Sequence, residues 1–476
     1  MGILRPKIQI LDEQHKKDIL EEAKQILLKL GIFIENNQAE ELLKDQGVEN
    51  KEKRYFIPPD LVDRCLKSVP SEISLYDREG NHSLTLKNDN IHYDPGSAAI
   101  FILDENTGKI REAFHQDFIR FTKIVDQCQY IDSQSTAIVY SDIPKEAQDW
   151  HRLYTALSYG HKPIVTGTFK KENFSIMKEL LLACRNSEKD LKDKPLAIFD
   201  ACPSPPLNWS DLTTQSVIDA ARSGIPSEFV SMPMAGSTGP ITLIGCITQH
   251  CAESLAGVVI SQLASKGSPV IWGGSPSVMD MRYGTTPMGA VGTMMIDIGD
   301  AEMGKFLGLP THAYMGLSDS KIPDAQAGLE TNMGALLAGL AGINMISGVG
   351  MQDFESCQSI EKLLIDNEIV GMVKHFINGI EDHGSPFASE ILEKFYDKNE
   401  LLSHPTTMNL FRKEQFIVSP IIARMTRNEW EKKGSTSARQ RSKEMIPKLL
   451  SKQSVSPIDK SLSKELDKIT KTHYNP

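Results

Sequence analysis

Apolar positions along this chain change period near residue 89. Before that point the spacing is helical. Ile19, Ala23, Ile26, Leu27 and Leu30 form one stripe in a segment from about residue 11 to 46, and Leu42 and Leu43 begin a second. Pro58-Pro59 then opens a short helix through Cys65. Ile73 to Leu86 alternates and contains Gly80-Asn81, which signals a hairpin. Residues 1–88 are therefore expected to form an N-terminal helical cap with one hairpin.

From residue 89 a strand, a Gly/Pro/Ser/Thr-rich tip and a helix recur. The strands are expected at Asn90–Tyr93, Ser135–Val139, Pro163–Thr168, Pro195–Asp200, Ser227–Ser231, Pro269–Trp272, Thr311–Met315 and Ile343–Ile346. A hairpin insertion, Ala99 to Arg111, follows the first and turns at Glu105-Asn106-Thr107-Gly108. About eight such units predict an α/β fold of the TIM (β/α)8 barrel type over residues 89–380. A doubly wound open sheet is the competing architecture. It calls for a Gly-rich phosphate fingerprint after the first strand, where the chain has none. Residues 381–476 are expected to form a C-terminal helical extension, with a helix broken between Tyr396 and Leu410. A polar amphipathic stretch runs from Asn428 to Lys452, and the last twenty or so residues are expected to be a loosely docked tail.

Composition narrows the class. The chain of 476 residues has 40% hydrophobic and 24% charged residues and a net charge of -10. That balance fits a soluble globular protein and argues against a nucleic-acid surface. Met1 to Glu13 has no secretory apolar core, and no uninterrupted apolar window is long enough for a membrane helix. Seven cysteines lie scattered singly without CxxC spacing, as in a reducing, cytoplasmic setting.

In a barrel of this kind the chemistry sits at the strand tips. The tip residues are Tyr93, Asp94, Tyr140, Asp142, Phe169, Asp200, Cys202, Met234, Ser275, Tyr314, Ser318, Asp319, Gln352 and Phe354, with Arg282 and Tyr283 on a long loop that can reach over. Histidine is scarce among them, and no HExxH or Cys/His cluster occurs, so no metal held by this chain is expected. Cys202 reads as a wall residue, since no histidine is its evident partner. Each aromatic taken alone reads as core. Several at tips with few charges suit a cation that lacks N–H donors.

The pieces Tyr93-Asp94-Pro95-Gly96-Ser97, Ala235 to Pro240, Met279 to Thr285, Gly316 to Lys321 with Asp324 to Gly328, Asp353 to Cys357, and His404 to Thr407 with Phe411-Arg412 occur in order along nearly the whole chain. In them the sequence resembles the trimethylamine methyltransferase superfamily, specifically members lacking pyrrolysine, such as the glycine betaine:corrinoid methyltransferases. The resemblance implies a TIM-type barrel that demethylates a methylated amine and passes the methyl group to the cobalt of a corrinoid (cobalamin). That corrinoid is carried by a separate partner protein and is not bound by this chain alone; a homo-oligomer is implied as well. The twenty-letter sequence lacks pyrrolysine. A quaternary ammonium already carries the positive charge that makes its methyl group transferable. Orientation and exclusion of water are then the main requirements, with no residue acting as acid or base.

Glycine betaine is the first substrate expected, giving dimethylglycine, with proline betaine, carnitine and γ-butyrobetaine as alternatives. A non-catalytic binding protein for cationic amines, and a lyase or hydrolase using Asp200 or Asp319 as base, are readings of other classes. Substrate contacts are expected from Tyr93, Asp200, Arg282, Tyr314, Gly348 and Phe354, with Tyr140, Ser97 and Asp319 as further candidates. Tyr93, Tyr314 and Phe354 would cage the cation. Arg282 would grip the carboxylate, unless it pairs with Asp280 or Asp319 and leaves that task to backbone N–H groups at Gly348 and Gly350.

Overall fold

The computed structural model describes residues 4–398, 401–416 and 419–474. Eight short strands run parallel: β1 His92–Asp94, β2 Gln134–Ser135, β3 Ile164–Thr166, β4 Ala197–Ala201, β5 Ser227–Ser231, β6 Val270–Gly274, β7 His312–Tyr314 and β8 Met345–Ser347. Each is followed by a long helix: α1 His115–Gln127, α2 Gln148–Tyr159, α3 Asn173–Ala183, α4 Asp211–Ser223, α5 Leu243–Ala264, α6 Val291–Phe306, α7 Ala325–Ala341 and α8 Ile360–Ile377. Their chain positions follow the repeat expected from the sequence, although β2 is only two residues long.

The ladder is not one continuous closed barrel. β2 to β6 form one parallel arc in chain order, and β7, β8 and β1 form a second. A single bridge, Trp272 to Thr311, joins the arcs on one side. On the other side, the Asp132 and Ser133 N–H groups donate to the Tyr93 carbonyl. At the β1–β2 seam a side chain assists the backbone, where Asp132 accepts from the Tyr93 N–H at 2.9 Å, and Asn344 accepts from the Thr311 N–H at 2.9 Å within the second arc.

The apolar faces go where strand alternation sends them. Val165, Ile198, Ile271 and Met345 form one buried cluster with Ile73, Leu75, Leu84 and Leu86 of the hairpin Ile73–Tyr76/His82–Leu86. The hairpin thus packs at the N-terminal ends of the strands. Its Tyr76 and Arg78 N–H groups donate to the Pro195 and His161 carbonyls, in the segments that lead into β4 and β3.

Ile19, Ala23 and Leu27 of helix Glu13–Lys29 pack with α5 in another cluster. That explains α5, a helix of 22 residues apolar enough to cross a membrane, whose most apolar 18-residue window is 83% buried inside the fold. Its hydrophobic surface faces α4, α6 and the N-terminal helices all round. Where one helical stretch was expected up to residue 46, a short strand, Ile32–Ile34, interrupts and pairs with Asn208–Trp209 after β4.

Helix Lys460–His473 corrects the expectation of a loosely docked tail. Its Leu466 and Ile469 are buried in the main core against α2 and α3. The amphipathic stretch divides into Arg427–Lys432 and Ala438–Leu450. Of the break expected between Tyr396 and Leu410, residues 399–400 lie outside the described residues; helices Ser389–Lys398 and Pro405–Gln415 flank it.

Candidate functional site

A cavity of about 600 Å³ opens at the C-terminal ends of the strands. Its wall includes Ser97 after β1, Gly167, Thr168 and Phe169 after β3, Asp200 and Ala201 of β4, Val230 of β5, Met232 and Met234, Ser275 after β6, Thr286 and Met288, Tyr314 of β7, and Phe354 and Glu355 after β8. Its size is typical of a small-molecule site. Half of the fourteen tip residues singled out from the sequence line it: Phe169, Asp200, Cys202, Met234, Ser275, Tyr314 and Phe354. Arg152, from the first half of α2, lines it too.

Tyr314 is held by one residue from both sides. Its hydroxyl donates to the Ser97 carbonyl at 3.0 Å and accepts from the Ser97 N–H at 3.2 Å. Close approach of the chain requires glycine at 96, where φ is +71° and a Cβ atom would lie 2.9 Å from the Tyr314 ring. Ser97 in turn donates its hydroxyl to Asp200 at 2.9 Å. Phe354 and Glu355 sit in the four-residue loop of a hairpin whose strands, Met351–Gln352 and Cys357–Gln358, pair antiparallel. Asp353, Phe354 and Glu355 all have left-handed backbone, with φ of 53°, 55° and 66°. Three such non-glycine residues in a row are costly and mark a loop held in place by its surroundings. Ser275 donates to Glu355 at 3.2 Å, and the Asp353 N–H donates to the Ser320 carbonyl at 3.0 Å.

The electrostatics of the cavity floor are acidic. Asp94 and Glu228 are buried beside the half-buried Asp200, and Glu355 joins Asp200 in the wall. Burial pushes the Asp94 and Glu355 carboxyls up to about 7. Asp200 and Glu228 are both pushed up, by burial first; for Glu228 the negative charge of Asp200 adds to it. One oxygen of Asp200 and both of Glu228 lack a hydrogen-bond partner among the described residues. His312 comes within 3.3 Å of Glu228, but burial drives the imidazole down to about 3, so it is neutral and offers no counter-charge. It bonds instead to Ser347, whose hydroxyl donates to Asp94 at 2.6 Å.

Several residues singled out from the sequence lie elsewhere. Tyr93 does not face the cavity. Strand alternation turns it outward, where it is fully buried and its hydroxyl donates to the Ala335 carbonyl of α7 at 2.9 Å, while Asp94 beside it points inward to Ser347. Tyr140 packs against α2, its hydroxyl 2.6 Å from His151 Nδ1. The Gly348 N–H is committed to the Asp94 carbonyl and that of Gly350 to Asp366, so neither is free for a ligand. Arg282 is on the exposed part of its loop, with its side chain 79% accessible. It forms a two-pronged pair with Asp280, at 3.1 and 2.7 Å. Asp319 does not line the cavity but accepts from the Met288 and Gly289 N–H groups, both at 2.9 Å, and so fixes the loop that brings Met288 into the wall.

Sequence reasoning passed over Arg152 and Glu355. Arg152 belongs to a helix and not to a tip; an arginine inside the mostly apolar run Trp150 to Leu157 was its one visible signal. Glu355 adjoins a chosen aromatic, but the turn that aims both inward is not periodic. No histidine lines the cavity. Among the described residues, one group of side chains with metal-ligand spacing occurs, the largely exposed Glu381, His383 and Glu414, and it is no part of the cavity.

Comparison with known proteins agrees along the whole chain. The family described as trimethylamine methyltransferase (MTTB) matches residues 3–474. A trimethylamine methyltransferase of Desulfitobacterium hafniense (strain DSM 10664 / DCB-2) is 29% identical over 447 residues, 94% of this chain and 90% of its own. A glycine betaine methyltransferase of Desulfitobacterium hafniense (strain Y51) is 30% identical over 434 residues, covering 91% and 90%. Among solved structures, the monomethylamine methyltransferase of Methanosarcina barkeri superposes with a TM-score of 0.56 at 11% identity, over 93% of this chain and 88% of that one. At that identity the likeness speaks for a shared fold.

Proposed function

This chain belongs to the trimethylamine methyltransferase family, and on that premise we propose that it demethylates a quaternary amine, glycine betaine first, passing the methyl group to a corrinoid held by a partner protein. The observation that carries this reading is the cavity itself. Tyr314 and Phe354 supply ring faces, Asp200 and Glu355 supply half-buried carboxyls, and no histidine or metal-ligating cluster lines it. A trimethylammonium group has positive charge and no N–H donor. Aromatic faces and diffuse negative charge bind it where a hydrogen-bonding wall would be left unpaired.

The corrinoid supplies the nucleophilic Co(I) that takes the methyl group. The C–N bond breaks, and its electron pair stays on nitrogen as the neutral amine leaves. This chain's residues orient that bond and exclude water. Lys321 Nζ already lies 3.7 Å from the Phe354 ring centroid, so the aromatic contact offered to substrate is with the rest of that ring. No proton moves in the step, and the carboxyls act by charge. Nothing in the wall has the donor set of a metal site, which suits an acceptor that arrives on another protein. The exposed apolar residues Ile241, Met281 and Tyr283 beside the mouth suit its docking. We read residues 89–380 as the catalytic barrel, closed functionally across its two seams, with residues 1–88 and 381–476 packed around it.

The test is a demethylation assay with reconstituted Co(I) corrinoid protein and a panel of glycine betaine, proline betaine, carnitine, γ-butyrobetaine and tetramethylammonium. Formation of dimethylglycine, or of the matching tertiary amine, supports the reading. Tight binding without turnover of any of them would leave a binding protein instead.

A further inference from the structure

Arg152 has no ion-pair partner in contact. The residue is 1% exposed, yet among the described residues no carboxylate oxygen lies within 4.0 Å of its nitrogens, and Asp149 and Asp200 act on it only from farther off. Its hydrogen bonds run from Nε to the Gln148 carbonyl at 3.1 Å and from Nη1 to the Thr136 carbonyl at 2.7 Å. Nη2 donates to none of the described residues, and the side chain forms part of the cavity wall. A buried guanidinium with an open prong is a costly arrangement unless an anion completes it. The guanidinium is also pre-oriented. Its carbon lies 4.3 Å from the centroid of the Phe169 ring, and the two carbonyl bonds fix its plane. A planar, fixed donor set of that kind matches a carboxylate.

Its place in the wall adds direction. Arg152 stands with Gly167, Thr168 and Phe169 at the end of β3, whereas Tyr314, Phe354 and Glu355 come from β7 and the loop after β8. In strand order β7 is four positions from β3. The wall thus sets one buried cation beside β3, with Asp200 of the neighbouring β4 on the same side, and Tyr314, Phe354 and Glu355 on the side of β7 and β8.

We infer that Arg152 is the specificity-determining residue that binds the carboxylate of a zwitterionic substrate, so that the site selects carboxylated quaternary amines over simple tetraalkylammonium ions. This rests on the reading under Proposed function and narrows it to betaines. The alternative, that the guanidinium serves only to tie α2 to the segment after β2 through the Thr136 carbonyl, makes a different prediction for ligand preference.

Calorimetric titration of the full chain with glycine betaine and with tetramethylammonium separates the two. In the wild-type protein glycine betaine binds at least tenfold more tightly than its methyl ester, which keeps the cation and masks the anion. In Arg152→Gln the preference for glycine betaine over tetramethylammonium falls tenfold or more. A variant whose preference matches the wild type overturns the inference. Should the variant fail to fold, the wild-type comparison still decides, because a methyl ester that binds as tightly as the free acid also overturns it. A wild-type protein that binds neither glycine betaine nor tetramethylammonium removes the quaternary-amine reading and this inference with it. One that binds both without distinguishing ester from acid removes the inference alone.

Discussion

Asp94 and Glu228 are buried, Asp200 and Glu355 are half-buried at the cavity, and desolvation raises all four carboxyls. An exposed aspartate or glutamate of the unfolded chain titrates near pH ~4. The folded values are therefore the higher ones. The native state holds extra protons, and the stability they contribute is complete below about pH 4 and is lost as pH rises through about 7. A bound quaternary cation reverses the preference, because it favours the ionised carboxyls. Affinity for tetramethylammonium should accordingly rise between about pH 6 and 8, with protons released on binding. Calorimetry in two buffers of different ionisation enthalpy counts those protons; a flat pH profile without release would contradict the charge assignment. The aromatic residues divide in the same way. Phe354→Ala should weaken tetramethylammonium binding by roughly 1–3 kcal/mol, the range for a desolvated cation–π contact with lost packing. Tyr93→Ala should instead lower stability by about 3–5 kcal/mol, as for other large core aromatics, which a urea titration reads directly. Both tyrosines on the inferred cage were legible as tip residues. Which of them faces inward depends on the register of a three-residue strand, and an error of one residue there exchanges Tyr93 for Asp94.

Short elements carry the site, and longer ones hold it. The hairpin from Met351 to Gln358 places Phe354 and Glu355 through three left-handed residues, and its second strand pairs with Phe101–Leu103 of the insertion after β1. That insertion was visible in the sequence because its turn is rich in polar residues and glycine. The second hairpin was not, because Met351 to Gln358 shows neither the alternation nor a glycine at the turn. At the chain's end, helix Lys460–His473 has a strong capping aspartate, Asp459, and only a sparse apolar stripe. Its composition resembles a tail, and its docking follows from Leu466 and Ile469 alone. Leu466→Ala should cost about 2–5 kcal/mol, the usual range for a leucine lost from a closed core. A loss below about 0.5 kcal/mol in equilibrium unfolding would mean the helix is peripheral after all.

Viewed whole, the molecule separates a sealed end from an open one. Hairpin Ile73–Leu86 closes the N-terminal ends of the strands with apolar side chains, and the cavity occupies the C-terminal ends. Ile241, Met281 and Tyr283, in the loops that also carry the cavity residues Met234 and Thr286, are 65%, 68% and 77% exposed, an apolar patch that suits the proposed corrinoid protein. Replacing both Met281 and Tyr283 by aspartate should raise the KM for the corrinoid protein about tenfold or more, equivalent to ~1.4 kcal/mol of lost docking energy. Amine affinity measured without the corrinoid protein distinguishes that effect from damage to the cavity. An unaltered KM would move docking to another face.

Local periodicity was enough to place eight strand–helix units and to pick out Asp200, Tyr314 and Phe354 as tip residues, and these line the cavity at the C-terminal ends of the strands, because element type and apolar face are properties of neighbouring residues. The chain's family was legible too, since its motifs recur in order from Tyr93 to Arg412. What neighbouring residues do not encode is azimuth. Arg152, 55 residues after Ser97 and 48 before Asp200, joins them in one cavity wall only once the strands are assembled side by side; Arg282, which has the better motif, is turned to solvent and closes on Asp280. The gathering of Asp94, Asp200, Glu228 and Glu355 has the same origin. Each alone reads as a tip residue or a core oddity, and only the assembly of the strands brings them together.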